Sequence, residues 1–160
     1  MATARLSALV LLAVTASHLY ALDVVGGSQE TNDRLYTGAG ADFFADQYDW
    51  SAVGKQTNGR RWVTMISPSY FLYTAHTSLS ETQVIFREGV NGPSHTYDID
   101  TGFGVTITDP VSGNPADLYL GRLTTPLDPA DNINPVPILI LPTVTEYLGL
   151  PLLLYGKVDD

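Results

Sequence analysis

Trp62-Val63-Thr64-Met65-Ile66-Ser67-Pro68-Ser69-Tyr70-Phe71-Leu72-Tyr73-Thr74-Ala75-His76 sets two short runs of β-branched and aromatic residues on either side of Ser67-Pro68-Ser69. Such residues fit the pleated, half-buried surface of a strand, and Ser and Pro at the junction supply turn chemistry. The stretch therefore predicts two antiparallel strands joined by a tight turn, with His76 delivered to the end of the second. Forty-one residues further on, Ala116-Asp117-Leu118-Tyr119-Leu120-Gly121-Arg122-Leu123 places one carboxylate at the head of an alternating apolar run.

Outward from this hairpin the texture repeats. From Tyr48 onward, short segments rich in Val, Ile, Tyr, Phe and Thr alternate with Asn, Gly, Pro and Asp at intervals of about 8 to 12 residues, the spacing of an all-β barrel or sandwich. Strands are expected at 51–55, 61–67, 71–74, 83–87, 95–99, 104–108, 118–123 and 152–155. Turns are expected at Asn58-Gly59, Ser67-Pro68-Ser69, Asn91-Gly92-Pro93 and Ser112-Gly113-Asn114-Pro115, whose residues tolerate turn geometry. No segment holds a 3.6-residue apolar period over several turns. Pro129, Pro135, Pro137 and Pro142 exclude a central strand from residues 127–142, which reads as a long surface connection. Residues 22–47, with Gly26-Gly27 and Gly38-Ala39-Gly40, read as an irregular lead-in to a body at 48–160.

Bulk properties exclude several classes of function. A chain of 160 residues with 44% hydrophobic content suffices for a packed core. A net charge of −9 with 8 Lys and Arg spread along the chain argues against nucleic acid as a partner. Arg5 followed by the apolar run Leu6 to Val14 and by small residues around Ala16, Ser17 and Ala21 has the pattern of a secretory signal peptide, assigned to residues 1–21. The run is far short of the roughly 18 to 20 residues of a membrane span. Secreted, periplasmic or cell-surface placement follows, and the complete lack of cysteine favours a bacterial source and excludes thiolate metal sites.

Read in order, three blocks resemble the N-terminal barrel of trypsin-like serine peptidases of the chymotrypsin fold. Thr64-Met65-Ile66, the turn Ser67-Pro68-Ser69 and Phe71-Leu72-Tyr73-Thr74-Ala75-His76-Thr77 stand where the family has a Ser-Leu-Ile strand, a turn and a strand closing in Ala-Ala-His-Cys. Asp117-Leu118-Tyr119-Leu120-Gly121-Arg122-Leu123 matches Asp-Ile-Ala-Leu-Leu-Lys-Leu, and Val136-Pro137-Ile138-Leu139-Ile140-Leu141-Pro142 approximates Val-x-Pro-Ile-x-Leu-Pro. Thr77 replaces the family's frequent cysteine and Arg61 stands near its partner's position, so both halves of that disulfide are lost together. Tyr119 stands where a small residue follows the aspartate and needs extra room. Val24-Val25-Gly26-Gly27 looks like the family's activating N-terminus, but Asp23 precedes it instead of Arg or Lys.

The resemblance implies a six-stranded antiparallel Greek-key barrel, the first of two, and a secreted serine endopeptidase acting on protein or peptide substrates without a cofactor. His76 becomes the general base, since an imidazole of ordinary pKa near 6.5 can take a serine proton at neutral pH. Asp117 becomes a buried carboxylate on the second ring nitrogen, fixing its tautomer and stabilising the imidazolium. His18, in the signal region, and His95, in a polar hairpin, are set aside. The nucleophile, a Gly-Asp-Ser-Gly-Gly loop in the family, has no match; Ser112-Gly113 and Ser28 read as turn residues. Asp128-Pro129-Ala130-Asp131-Asn132-Ile133-Asn134 offers oxygen ligands but lacks the Gly and terminal Glu of a calcium loop, and reads as a solvated connection. Leu152-Leu153-Leu154-Tyr155-Gly156 resembles the strand leading toward a second barrel, so a truncated, inactive fragment is expected. Two other readings compete: a protease homologue without its nucleophile, kept for binding, and an unrelated β-sandwich binding module.

Overall fold

The computed structural model describes residues 28–57, 61–76, 79, 81–89 and 91–149. Seven strands, β1 (Val53–Gln56), β2 (Trp62–Met65), β3 (Tyr70–Tyr73), β4 (Gln83–Arg87), β5 (Ser94–Asp98), β6 (Val105–Thr108) and β7 (Pro115–Arg122), form one antiparallel sheet in the order β5-β4-β1-β2-β3-β7-β6. Among the described residues helix is confined to one turn, α1 (Gln29–Asn32), and two short 3-10 turns at Pro129–Asp131 and Val144–Tyr147. The chain is therefore all-β.

The ladder also returns on itself. Ile99, just past β5, bridges Leu123, just past β7. Asp100 N–H donates to Arg122 O at 2.9 Å and Thr124 N–H to Asp98 O at 2.8 Å. A continuous path of backbone hydrogen bonds thus runs through β5, β4, β1, β2, β3, β7 and back to β5, with β6 outside it on the flank of β7.

Alternation decides which side chains fill the core. Val63 and Met65 of β2, Phe71 of β3, and Val84 and Phe86 of β4 are all at most 1% exposed. Their strand neighbours point outward, as the period of two requires. Each such burial contributes about 1.5–3 kcal/mol. Gly121 of β7 makes this packing possible at one point, because a Cβ there would lie 2.3 Å from Phe71 Cε2.

Strand boundaries depart from expectation where local chemistry intervenes. Residues 51–52 belong to a turn instead of β1, since Asp49 Oδ1 accepts from Ser51 N–H at 2.9 Å and Trp50 O accepts from Val53 N–H at 2.9 Å. β7 begins three residues earlier than 118, at Pro115, because a proline at the first strand position forfeits no ladder bond. The expected strand at 152–155 and the signal segment at 1–21 lie outside the described residues.

The lead-in is structured where it is described. Leu35, Phe43 and Ala45 are buried, and Phe43, Ala45, Trp50 and Val53 form a second small core, with Trp50 Nε1 donating to Ala45 O at 2.7 Å. Arg34, 1% exposed, ties this segment to the sheet. Its Nη1 donates to Trp50 O at 2.6 Å and to Val53 O, and its Nη2 to Arg87 O and Gly89 O at 2.9 and 2.8 Å.

The connection after β7 adds no strand to the sheet, as its prolines demand, but it is not wholly on the surface as expected: Leu127 and Ile133 are buried in the main core. Val136 N–H donates to Met65 O at 3.0 Å, which lays the strap along β2. Ile138, Leu139 and Ile140 are 58%, 58% and 82% exposed. Among the described residues no helix is long and apolar enough to cross a membrane.

Candidate active site

The register between β3 and β7 pairs Leu72 with Leu120 and Tyr73 with Tyr119. Continued two residues past Tyr73, it brings Ala75 opposite Asp117, with His76 next in the chain. The β6–β7 ladder is irregular at the same place: Thr106 pairs with Tyr119 but Thr108 with Pro115, so β7 spends more residues than β6 across this interval. Such a bulge frees a strand residue from the regular pleat and re-aims its side chain. Asp117 is in the bulged stretch, and its carboxylate reaches back to the end of β3.

Two hydrogen bonds join the pair. His76 N–H donates to Asp117 Oδ1 at 2.9 Å, and ring Nδ1 lies 2.6 Å from Asp117 Oδ2. An ionised carboxylate only accepts, so Nδ1 carries the hydrogen and Nε2 is left as the acceptor. The His76 ring, then its backbone N–H, holds the Asp117 carboxyl below its ordinary value of 3.8. A lowered carboxyl value means that this contribution to stability is present above pH 3.8 and disappears as the pH falls through the lowered value.

One expectation is corrected here. Asp117 is bonded but not buried: the His76 and Asp117 side chains are 65% and 59% exposed. The bulge sits at the strand's end and no described element covers it. Tyr119 does receive the room it needs. Its ring packs 5.0 Å from that of Tyr73, and its hydroxyl occupies the space above Gly104, where a Cβ would lie 2.2 Å from the oxygen.

A cleft of about 310 Å³ is lined by Ala75, Tyr73, Tyr119, Leu79, Glu81 and Phe103 among others; Ala75 adjoins His76 in the chain, but neither His76 nor Asp117 lines the cleft. Phe103 is held in place by Arg122, whose guanidinium stands 4.5 Å from the ring centre while its Nε donates to Asp100 Oδ2 at 3.0 Å. Burial, then the neighbouring Tyr119, pushes the Tyr73 phenol up. Phe103 and Glu81 carried no signal in the sequence, since they reach the cleft from separate loops that only the fold brings together.

The remaining sequence candidates are dispersed. Ser112 Oγ lies 2.6 Å from Asp109 Oδ2 and accepts from Asn114 N–H at 3.3 Å, so it serves the β6–β7 turn. Ser28 Oγ accepts from Thr31 N–H at 3.3 Å, ahead of α1. The carboxylates of 128–134 do not converge: Asp128 Oδ1 caps Ala130 N–H at 2.9 Å, while Asp131 turns to β5. Among the described residues no group of three or more potential ligands could hold a metal ion.

His95, set aside in the sequence, sits in a connected polar group. Its Nε2 is 3.2 Å from Glu88 Oε1 and its Nδ1 3.1 Å from Asp131 Oδ1. Tyr97 hydroxyl donates to Asp131 Oδ2 at 2.6 Å and accepts from Asp128 N–H at 2.8 Å. Burial, followed by the hydrogen bond to Asp131, raises the Tyr97 phenol from 10.0 to about 12. A raised value means that the stabilisation is complete below pH 10 and is lost as the pH climbs toward 12. Tyr97→Phe is expected to cost about 1–3 kcal/mol near neutral pH through the unpaired Asp128 and Asp131 groups. Urea melts at pH 8 and pH 11.5 should show the gap between the two proteins narrowing; a constant gap would contradict this account.

No protein-family model and no curated protein matches the chain.

Proposed function

We propose that this chain carries the general base and its orienting carboxylate of a secreted serine endopeptidase, on the first barrel of a chymotrypsin-type fold. The observation that carries the reading is the two-point bond between His76 and Asp117, 2.6 Å at the ring and 2.9 Å at the backbone. It leaves Nε2 as the free acceptor, the form that a base for a serine hydroxyl must have. The self-returning path through β5, β4, β1, β2, β3 and β7 supports a six-stranded barrel. The three ordered sequence blocks support the family.

In this mechanism Nε2 takes the serine proton as the oxygen attacks the peptide carbonyl, and Asp117 stabilises the imidazolium that forms. The same proton then passes to the leaving amine, and a water molecule repeats the cycle on the acyl-enzyme. The 160 residues contain no Gly-x-Ser-Gly block, so the reading requires a serine from elsewhere in the polypeptide. That same observation favours a second reading, a protease homologue without its nucleophile that serves as a binding module.

A fluorophosphonate probe separates them when applied to the product of the full gene. Labelling that disappears in His76→Ala supports the peptidase; a folded product that never labels supports the binding module. Labelling that persists in His76→Ala would remove His76 as the base. The exposed pair and the exposed apolar side chains of Ile138 and Ile140 are what a second barrel would cover. The 160-residue chain alone is therefore expected to bind hydrophobic dyes and self-associate, and a dye-silent monomer melting cooperatively would oppose the two-barrel arrangement.

A further inference from the structure

The polar group around His95 stands apart from the proposed active site and contains a constraint on protonation. Its two carboxylates, Glu88 just past β4 and Asp131 in the 3-10 turn, face opposite nitrogens of one ring at 3.2 and 3.1 Å. A neutral imidazole has one N–H, and an ionised carboxylate has none to offer. A neutral ring can hydrogen-bond Glu88 through Nε2, but it carries no charge to attract Asp131, which stands at ion-pair distance from Nδ1. Both contacts are attractive together only when the ring is the imidazolium.

The placement gives the contact leverage. The side chains of His95, Glu88 and Asp131 are only 22%, 25% and 24% exposed, so screening by water is reduced. Asp131 closes the Pro129–Asp131 turn, which is further held by Tyr97 through Asp131 Oδ2 and Asp128 N–H. From this turn the chain runs on as the strap that rests on β2 through Val136. The titratable groups at His95 are thus Glu88 from the β4–β5 hairpin and Asp131 from the turn, with Tyr97 and Asp128 completing the network behind Asp131.

We propose that His95 is a pH-sensitive clasp: as the imidazolium it ties the β4–β5 hairpin to the 128–131 turn and so seats the strap, and on losing its proton it lets one carboxylate go and loosens the strap. It does not depend on the peptidase reading, since none of its members contacts His76 or Asp117.

The test is amide hydrogen exchange of the 160-residue chain, read at Asp128 and Val136 and corrected for the intrinsic pH dependence of exchange. Protection at both amides is expected to fall at least tenfold between pH 5.5 and 8.5, while the β2–β3 amides change less. His95→Gln, which has one donor and one acceptor at any pH, should flatten the profile. Glu88→Gln, whose amide can donate to or accept from either form of the ring, should flatten it too and provides a second route if His95→Gln folds poorly. His76→Gln should leave it intact. A profile unchanged by His95→Gln or Glu88→Gln, a drop abolished by His76→Gln, or ring nitrogen shifts showing neutral His95 at pH 5.5 would each overturn the clasp.

Discussion

In the proposed peptidase, Asp117→Asn is expected to lower kcat about 10,000-fold while KM changes little. The carboxylate now accepts twice from His76, at the backbone N–H and at Nδ1. An asparagine has one carbonyl oxygen, so it keeps one of these bonds, and its amide then faces the other position as a donor. With the oxygen on the backbone N–H, the amide points at Nδ1 and moves the ring hydrogen to Nε2, the nitrogen that must accept the serine proton. The geometry survives while the tautomer is wrong. Steady-state kinetics on a peptide anilide would check this, and a loss below about tenfold would mean that Asp117 does not orient the base. His76→Ala should cost at least as much, and the double variant should be little worse than His76→Ala alone, because the two side chains act as a unit.

Arg34→Ala should be among the most damaging single changes to stability in the described residues, at about 3–5 kcal/mol. The four guanidinium N–H groups on Nη1 and Nη2 meet the carbonyls of Trp50, Val53, Arg87 and Gly89. Alanine strands these acceptors in a site where the native side chain is 1% exposed, and each unsatisfied buried group costs about 1–3 kcal/mol before relaxation. Against a typical total of about 5–15 kcal/mol this is a large fraction. Arg34→Lys should recover only part of it, since an ammonium cannot fork toward both pairs of carbonyls. Urea unfolding decides the matter: a cost under about 1 kcal/mol for Arg34→Ala would show that water replaces the guanidinium.

The strands were legible because their signal is local. Val84 and Phe86 alternate with Gln83, Ile85 and Arg87, and the expected 83–87 is the observed β4. Turn chemistry at Ser67-Pro68-Ser69 likewise marked the corner between β2 and β3, where Ser67 Oγ accepts from Tyr70 N–H at 3.0 Å. The packing of the irregular lead-in is not legible in the sequence, because nothing in Gly38-Ala39-Gly40 or its flanks is periodic. Its order depends on Arg34 finding carbonyls as far away as Gly89, which no local window contains. The contacts of His95 are hidden for the same reason, since Asp131 meets it only when the turn after β7 folds back onto β5.

By itself the sequence determined an all-β chain, the hairpin that ends at His76, and a carboxylate heading a later strand, because alternation and turn residues act over a few positions. Only the tertiary structure decided that His76 and Asp117 touch, since that depends on the β3–β7 register and on a bulge opposite β6. It also decided that the pair is bonded yet exposed, because exposure depends on what packs above a site and residue identity alone does not contain that.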